Sequence, residues 1–158
     1  MDKDRLTHMS SQPIRTEVDI SWKPPPPKWV PLNTDGFVHT DTNHAAACGL
    51  LRDHTGCCLA AVASNLGMCT ITRAELRGVV EGLQLAWNLE HHRIRVDLDS
   101  QCAVQLLSSP DASDHQHATI IHRFSELLRL DWEVTIHHTY REGNNCADFL
   151  ATAGILCP

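Results

Sequence analysis

The stretch Trp29-Val30-Pro31-Leu32-Asn33-Thr34-Asp35-Gly36-Phe37 alternates in polarity, is rich in strand formers and carries a carboxylate near its end. A carboxylate within an apolar strand is expensive to bury unless a proton, a cation or a metal accompanies it. The structural alternative is a turn aspartate closing a strand, with Gly36 supplying the turn. Either reading makes this segment the first strand of the folded region, and the other elements are placed relative to it.

Downstream, Cys48 to Arg52 and Cys57 to Ala63 are short apolar runs separated by the turn Asp53-His54-Thr55-Gly56, so three antiparallel strands are expected. Thr72 to Glu90 places Leu76, Val79, Val80, Leu83, Ala86 and Trp87 at the spacing of an amphipathic helix. Gly78 and Gly82 each cost roughly 1 kcal/mol relative to Ala in a helix, which predicts close packing of that face against the strands. Arg93 to Leu98 reads as a strand, Ser100 to Leu107 and Ala118 to Leu130 as helices, and Trp132 to His138 as a fifth strand. A last helix is expected over about Asn145 to Ala153. The order βββαβααβα describes an α/β domain, a mixed five-stranded sheet with helices packed on its faces.

Upstream, residues 1–28 are polar, lack hydrophobic periodicity and end in Trp22-Lys23 followed by Pro24 to Pro27. Four prolines cannot continue a helix or a central strand, so this segment reads as a flexible lead-in that stiffens into polyproline II before a domain at 29–158. A spacer is the simpler role; the Pro24–Pro27 run also has the form of a ligand for a protein partner.

Composition narrows the functional classes. The chain has 158 residues, 42% hydrophobic and 20% charged, enough for one domain with a substantial core. No apolar run reaches the ~20 residues of a membrane span, and the N-terminus shows no secretory or transit signature. The expected setting is intracellular, nucleus or cytoplasm. Seven Cys without a CxxC pair and eleven His without an HExxH set argue for reduced, mostly buried thiols and against a Cys/His metal site. From Trp29 onward there are eight Arg, no Lys and fifteen Asp+Glu, a balance of −7. Such acidity argues at first sight against a nucleic-acid partner.

Four acids stand out by position: Asp35 in the first strand, Glu75 in the first turn of the long helix, Asp99 at the end of the fourth strand and Asp148 early in the last helix. Capping explains three of them if each is taken alone. Thr72-Arg73-Ala74-Glu75 forms a capping box, Asp99 can cap the next helix, and Asn145 to Asp148 can cap the last. Converging carboxylates would instead repel one another unless a cation joined them, and a cluster of hard oxygen ligands suits Mg²⁺ or Mn²⁺.

The blocks Asn33-Thr34-Asp35-Gly36, Thr70-Ile71-Thr72-Arg73-Ala74-Glu75-Leu76, Asp99-Ser100-Gln101 and His138 to Ala151 follow one another on the expected elements over residues 22 to 154. Together they resemble the ribonuclease H family, type 1, most closely the plant ribonuclease H-like domains related to non-LTR retroelement reverse transcriptases. The resemblance implies a ribonuclease H-like fold and an endonuclease that hydrolyses the RNA strand of RNA/DNA hybrids. It also implies two Mg²⁺ ions ~4 Å apart, replaceable by Mn²⁺, held by Asp35, Glu75, Asp99 and Asp148. His138 matches the family's histidine that assists product departure. Asn33, Thr70, Thr72, Gln101 and Asn144 match polar positions suited to a hybrid's minor groove. Arg73 and Arg141 flank the acids as candidate phosphate contacts. Asp97, on the same strand face as Asp99, is a competing ligand.

The resemblance leaves a second class open, a non-catalytic nucleic-acid-binding or protein-interaction domain derived from a retroelement. Ser108 to His117, which reads SSPDASDHQH, lacks the basic insertion of tightly binding bacterial members. Two bound Mg²⁺ would offset four of the fifteen acidic charges, so acidity does not exclude a nucleic acid. A monomer is expected.

Overall fold

A computed structural model describes residues 23–109 and 116–144 of the chain. Strands β1 (Val30–Val38), β2 (His44–Arg52), β3 (Cys58–Met68), β4 (Arg93–Leu98) and β5 (Glu133–His138) form one sheet in the order β3-β2-β1-β4-β5. β1, β2 and β3 pair antiparallel, whereas β1–β4 and β4–β5 are parallel, so the sheet is mixed as the pattern predicts. Helices α1 (Ile71–Asn88), α2 (Gln101–Ser108) and α3 (Ala118–Leu128) follow in the expected order. The last helix predicted over Asn145 to Ala153 lies outside the described residues. Among the described residues no helix is long and apolar enough to cross a membrane.

Two strands are longer than their apolar runs. β2 begins at His44, not Cys48, because Ala45-Ala46-Ala47, weak strand formers, are hydrogen-bonded between β1 and β3. β3 continues past Ala63 to Met68, where a register shift opposite Ala45 and Ala46 and the positive φ of Gly67 (65°) absorb the irregularity. Sheet pairing overrides propensity in both places. The thiols also depart from expectation: Cys48 is buried, but Cys57, Cys58 and Cys102 are exposed. The exposed pair sits at the β2–β3 turn and the start of an edge strand, where neither the sheet nor a helix covers it.

α1 supplies the apolar layer over β1 and β2. Leu76, Val79, Val80, Leu83 and Ala86 join Leu32, Leu51, Ile94, Val96, Leu98 and Phe124 in one core. Each large aliphatic side chain contributes about 1.5–3 kcal/mol by leaving water. At its C-terminal end Trp87 meets Trp132 edge to face at 5.2 Å, and the Trp132 indole donates to the Leu127 carbonyl at 2.8 Å. This contact ties the ends of α1 and α3 to the start of β5 and commits Trp132 to the interior.

The approach of α1 to the sheet is closer than ordinary side chains permit. A Cβ on Gly82 would lie 2.8 Å from Leu32 Cδ1, one on Gly49 2.9 Å from the Gly82 Cα, and one on Gly78 3.0 Å from the carbonyl oxygens of Asp35 and Cys48. A Cβ on Gly36 would fall 2.4 Å from the Glu75 backbone nitrogen. The two helical glycines are therefore compensated by contact, as their cost in a helix requires. Arg95 adds a polar tie to the lead-in, donating to the Lys23 carbonyl at 2.7 Å.

Gly36→Ala should lower stability by about 1–3 kcal/mol or more, because backbone cannot yield as a side chain can. Gly67→Ala, with nothing within 4 Å of its new Cβ, should cost only the left-handed backbone penalty of about 1–2 kcal/mol. Urea unfolding distinguishes them; a Gly36→Ala midpoint equal to wild type would contradict this packing.

Candidate active site

Three of the four acids converge. Asp35 in β1, Glu75 near the N-terminal end of α1 and Asp99 just beyond β4 each bring one carboxylate oxygen within 4.8 Å of the other two. The sheet register accounts for one side of this triangle. β1 and β4 run parallel with Asn33 opposite Asp97, and two residues further along both strands Asp35 comes abreast of Asp99. The contact at Gly36 accounts for the other side, seating the Glu75 backbone directly on β1. The Gly36 amide donates to Asp35 Oδ1 at 2.9 Å and orients that carboxylate.

Capping does not account for these acids. α1 begins at Ile71, and its cap is Thr70, whose hydroxyl accepts the Arg73 amide at 3.3 Å; the expected box at Thr72 and Glu75 does not form. α2 is capped by Ser100, whose hydroxyl accepts the Ala103 amide at 3.2 Å, so Asp99 is not its cap. Asp35 is 2% exposed and Glu75 5% exposed. Unit charges 4.8 Å apart repel by roughly 3–4 kcal/mol at an effective dielectric of about 20. A divalent cation relieves that repulsion, and an all-oxygen donor set with this spacing fits Mg²⁺ or Mn²⁺ in preference to softer metals.

Asp97 does not join the cluster. It is ion-paired to Arg95 at 2.8 Å with a second contact at 3.1 Å. Burial pushes its carboxyl above the usual carboxylate range, and the Arg95 guanidinium partly offsets that rise.

His138, the last residue of β5, reaches the rim of the cluster. Its Nε2 lies 3.2 Å from the Asp99 carbonyl oxygen, which can only accept in this contact. The Tyr140 ring stands edge-on to it at 5.9 Å. Asp148 lies outside the described residues.

The polar candidates divide. Gln101, Arg73 and Arg141 are exposed and Thr72 is half-buried. Thr70 is exposed but spends its hydroxyl on the α1 cap. Asn33 and Asn144 have no exposed surface, which corrects the expectation that they touch substrate directly. Asn144 instead donates from Nδ2 to the Thr34 carbonyl at 2.8 Å, pinning the 3-10 turn Arg141–Asn144 to β1 beside Asp35. Its pattern in the sequence is that of any turn amide, so only the fold reveals this anchoring.

In metal-free buffer Ser100→Ala should lose about 1 kcal/mol in urea unfolding. Asp99→Asn should leave stability equal or higher, since it removes one like charge. A loss in Asp99→Asn as large as that of Ser100→Ala would restore Asp99 to a capping role.

Comparison with known proteins agrees with this geometry. A family model described as reverse transcriptase-like matches residues 33–154. An Arabidopsis thaliana protein provisionally named a ribonuclease H protein is 38% identical over 137 residues, 87% of this chain; the chain spans 22% of that relative's length. Among solved structures, ribonuclease H1 of the archaeon Halobacterium salinarum superimposes with a TM-score of 0.75 at 25% identity, covering 82% of this chain and 99% of that one. The N-terminal ribonuclease H domain of a Mycobacterium tuberculosis protein gives 0.73 at 22% identity over 80% of this chain and 93% of that one, and shares the fold. A ribonuclease H1 solved with an RNA/DNA hybrid gives 0.71 at 17% identity over 80% and 96%, again a likeness of fold. Its five-stranded mixed sheet, its converging acids and the matches in sequence and structure agree, and the chain belongs to the reverse transcriptase-like group of the ribonuclease H family.

Proposed function

We propose that this domain is a divalent-metal-dependent endonuclease that hydrolyses the RNA strand of RNA/DNA hybrids. The observation that carries the proposal is the convergence of Asp35, Glu75 and Asp99 from three separate elements, in a setting where capping explains none of them. In this reading these three and Asp148 hold two Mg²⁺, replaceable by Mn²⁺. Bound there, the metal supplies Lewis-acid stabilisation for in-line attack of water on an RNA phosphodiester.

The chain's own groups then have distinct tasks. The Gly36 amide holds Asp35 in one orientation, and the Gly36 contact with α1 keeps Glu75 at the same point. The bond broken joins phosphorus to the 3′ oxygen, which leaves as a hydroxyl after gaining a proton; the products carry a 5′ phosphate and a 3′ hydroxyl. His138, held at the rim by its contact with the Asp99 carbonyl, is the residue that would help the product depart. Asn144 positions the segment that precedes Asp148 by its bond to Thr34. Thr72, Gln101 and Arg141 are the remaining candidates for contact with the hybrid, in keeping with readout by shape and 2′-hydroxyls.

A hybrid-cleavage assay with Mg²⁺ or Mn²⁺ tests the reading. Asp35→Asn should lose more activity than the ~10–100-fold typical of an outer-shell change at a metal site, and chelation of the metal should stop wild-type cleavage. Equal rates for wild type and Asp35→Asn would overturn it, and hybrid binding without turnover would favour the non-catalytic reading.

Charge makes a second prediction. With eight Arg, no Lys and fifteen Asp+Glu from Trp29 onward, few phosphates can be neutralised. Hybrid affinity should fall only shallowly with added salt, and a steep fall would contradict this account.

A further inference from the structure

The four prolines that lead into β1 are held at both ends. Arg95 of β4, itself ion-paired to Asp97, donates to the Lys23 carbonyl at 2.7 Å. At the other end the Trp29 amide donates to the Pro26 carbonyl at 3.2 Å, and Lys28 has a positive φ of 71°. Those two features define a type II turn with Pro27 at its second position and Lys28 at its third. Each residue from Lys23 to Pro26 precedes a proline, which disfavours helical backbone, so the run is extended polyproline II as far as the turn. That conformation repeats every three residues, which puts Pro24 and Pro27 on one face. Both are exposed, whereas Pro25 is half-buried. Two of the chain's three lysines, Lys23 and Lys28, flank the run and are exposed. They stand out against a region that, from Trp29 onward, has eight Arg, no Lys and fifteen Asp+Glu.

We propose that Lys23–Lys28 is a docking strand for a protein partner whose groove is lined by aromatic side chains and bordered by acids. A simple spacer needs neither the anchor at Arg95 nor a lysine in left-handed backbone. A strand already fixed in polyproline II loses little conformational freedom on binding, and its paired proline rings suit an aromatic-lined groove. Charge selects the same segment. Acids at the border of the groove are attracted by Lys23 and Lys28 and repelled by the acidic remainder of the domain. The strand also stands apart from the acid cluster. Arg95 lies opposite Pro31 in register, and Asp35 is four residues further along β1, about 13 Å at ~3.3 Å per residue. A partner on this strand leaves the cluster open, so the domain is tethered without being blocked. The proposal does not depend on the nuclease reading.

The test titrates the full chain with a panel of purified SH3, WW and EVH1 domains, which share the aromatic proline-binding groove. At least one should bind wild type with a Kd below about 1 mM. Combining Pro24→Ala with Pro27→Ala should weaken that binding by about tenfold or more, and Pro25→Ala should change it less. Combining Lys23→Gln with Lys28→Gln should weaken it and flatten its dependence on salt. Glycine and serine in place of all four prolines keep the length of a spacer and should abolish binding, with the urea midpoint of the domain unchanged. Absence of binding by every domain of the panel would overturn the docking strand, as would equal binding by the glycine–serine variant. A loss in Pro25→Ala as large as in the Pro24 and Pro27 variant would overturn it too. If the lysine substitutions weaken binding of an RNA/DNA hybrid while no domain binds, the segment serves nucleic acid and the proposal falls. Competition between hybrid and the bound domain would overturn the separation of the two sites.

Discussion

The close seating of α1 on the sheet is the contact on which the rest of this molecule depends. Gly36 in β1, Gly49 in β2 and Gly78 and Gly82 in α1 remove the side chains that would hold helix and strands apart. One consequence is packing, since Leu76, Val79, Val80 and Leu83 then reach Leu32 and Leu51 to close the core. Another is chemical. With the helix backbone resting on Gly36, the N-terminal part of α1 delivers Glu75 to Asp35, and a wider separation would disperse the charges the site concentrates.

Concentrating carboxylates works against folding. Three acids within 4.8 Å of one another, two of them almost fully buried, repel strongly until a cation arrives. The surrounding fold answers by over-determining their positions. The Gly36 amide orients Asp35, Ser100 relieves Asp99 of capping, Thr70 does the same for Glu75, and Arg95 holds Asp97 apart in its own ion pair. Preorganisation of this kind stores an electrostatic cost in the fold that a bound cation would offset.

The same economy of charge shapes the outer surface. From Trp29 onward the chain has no lysine, and of its eight arginines Arg77, Arg93 and Arg95 are paired with acids. Basic charge is therefore confined to a few placed side chains and does not form a broad basic face among the described residues. Trp132, just before β5, is likewise spent on the core against Trp87 and Leu127.

Much of this was legible in the chain because the informative signals are local. The 3.6-residue period of α1, the turn at Asp53 to Gly56 and the polar residues embedded in apolar strands reflect interactions within a few positions, and they indicated the order of the described elements, the sheet class and the elements that carry Asp35, Glu75 and Asp99. Signals that depend on partners distant in sequence were not legible. The Ala45 to Ala47 segment became strand only because β1 and β3 flank it. Thr72 and Thr70 are equally good caps on paper, and the choice of Thr70 follows from where α1 meets the sheet. Asn33 and Asn144 resembled surface donors until burial placed them inside, one beside Asp97 in register and the other bonded to Thr34. By itself the sequence determined which side chains could do chemistry and on which elements they ride. Tertiary structure alone decided that Asp35, Glu75 and Asp99 meet and Asp97 does not, because strand register and the helix–sheet distance are set by long-range packing.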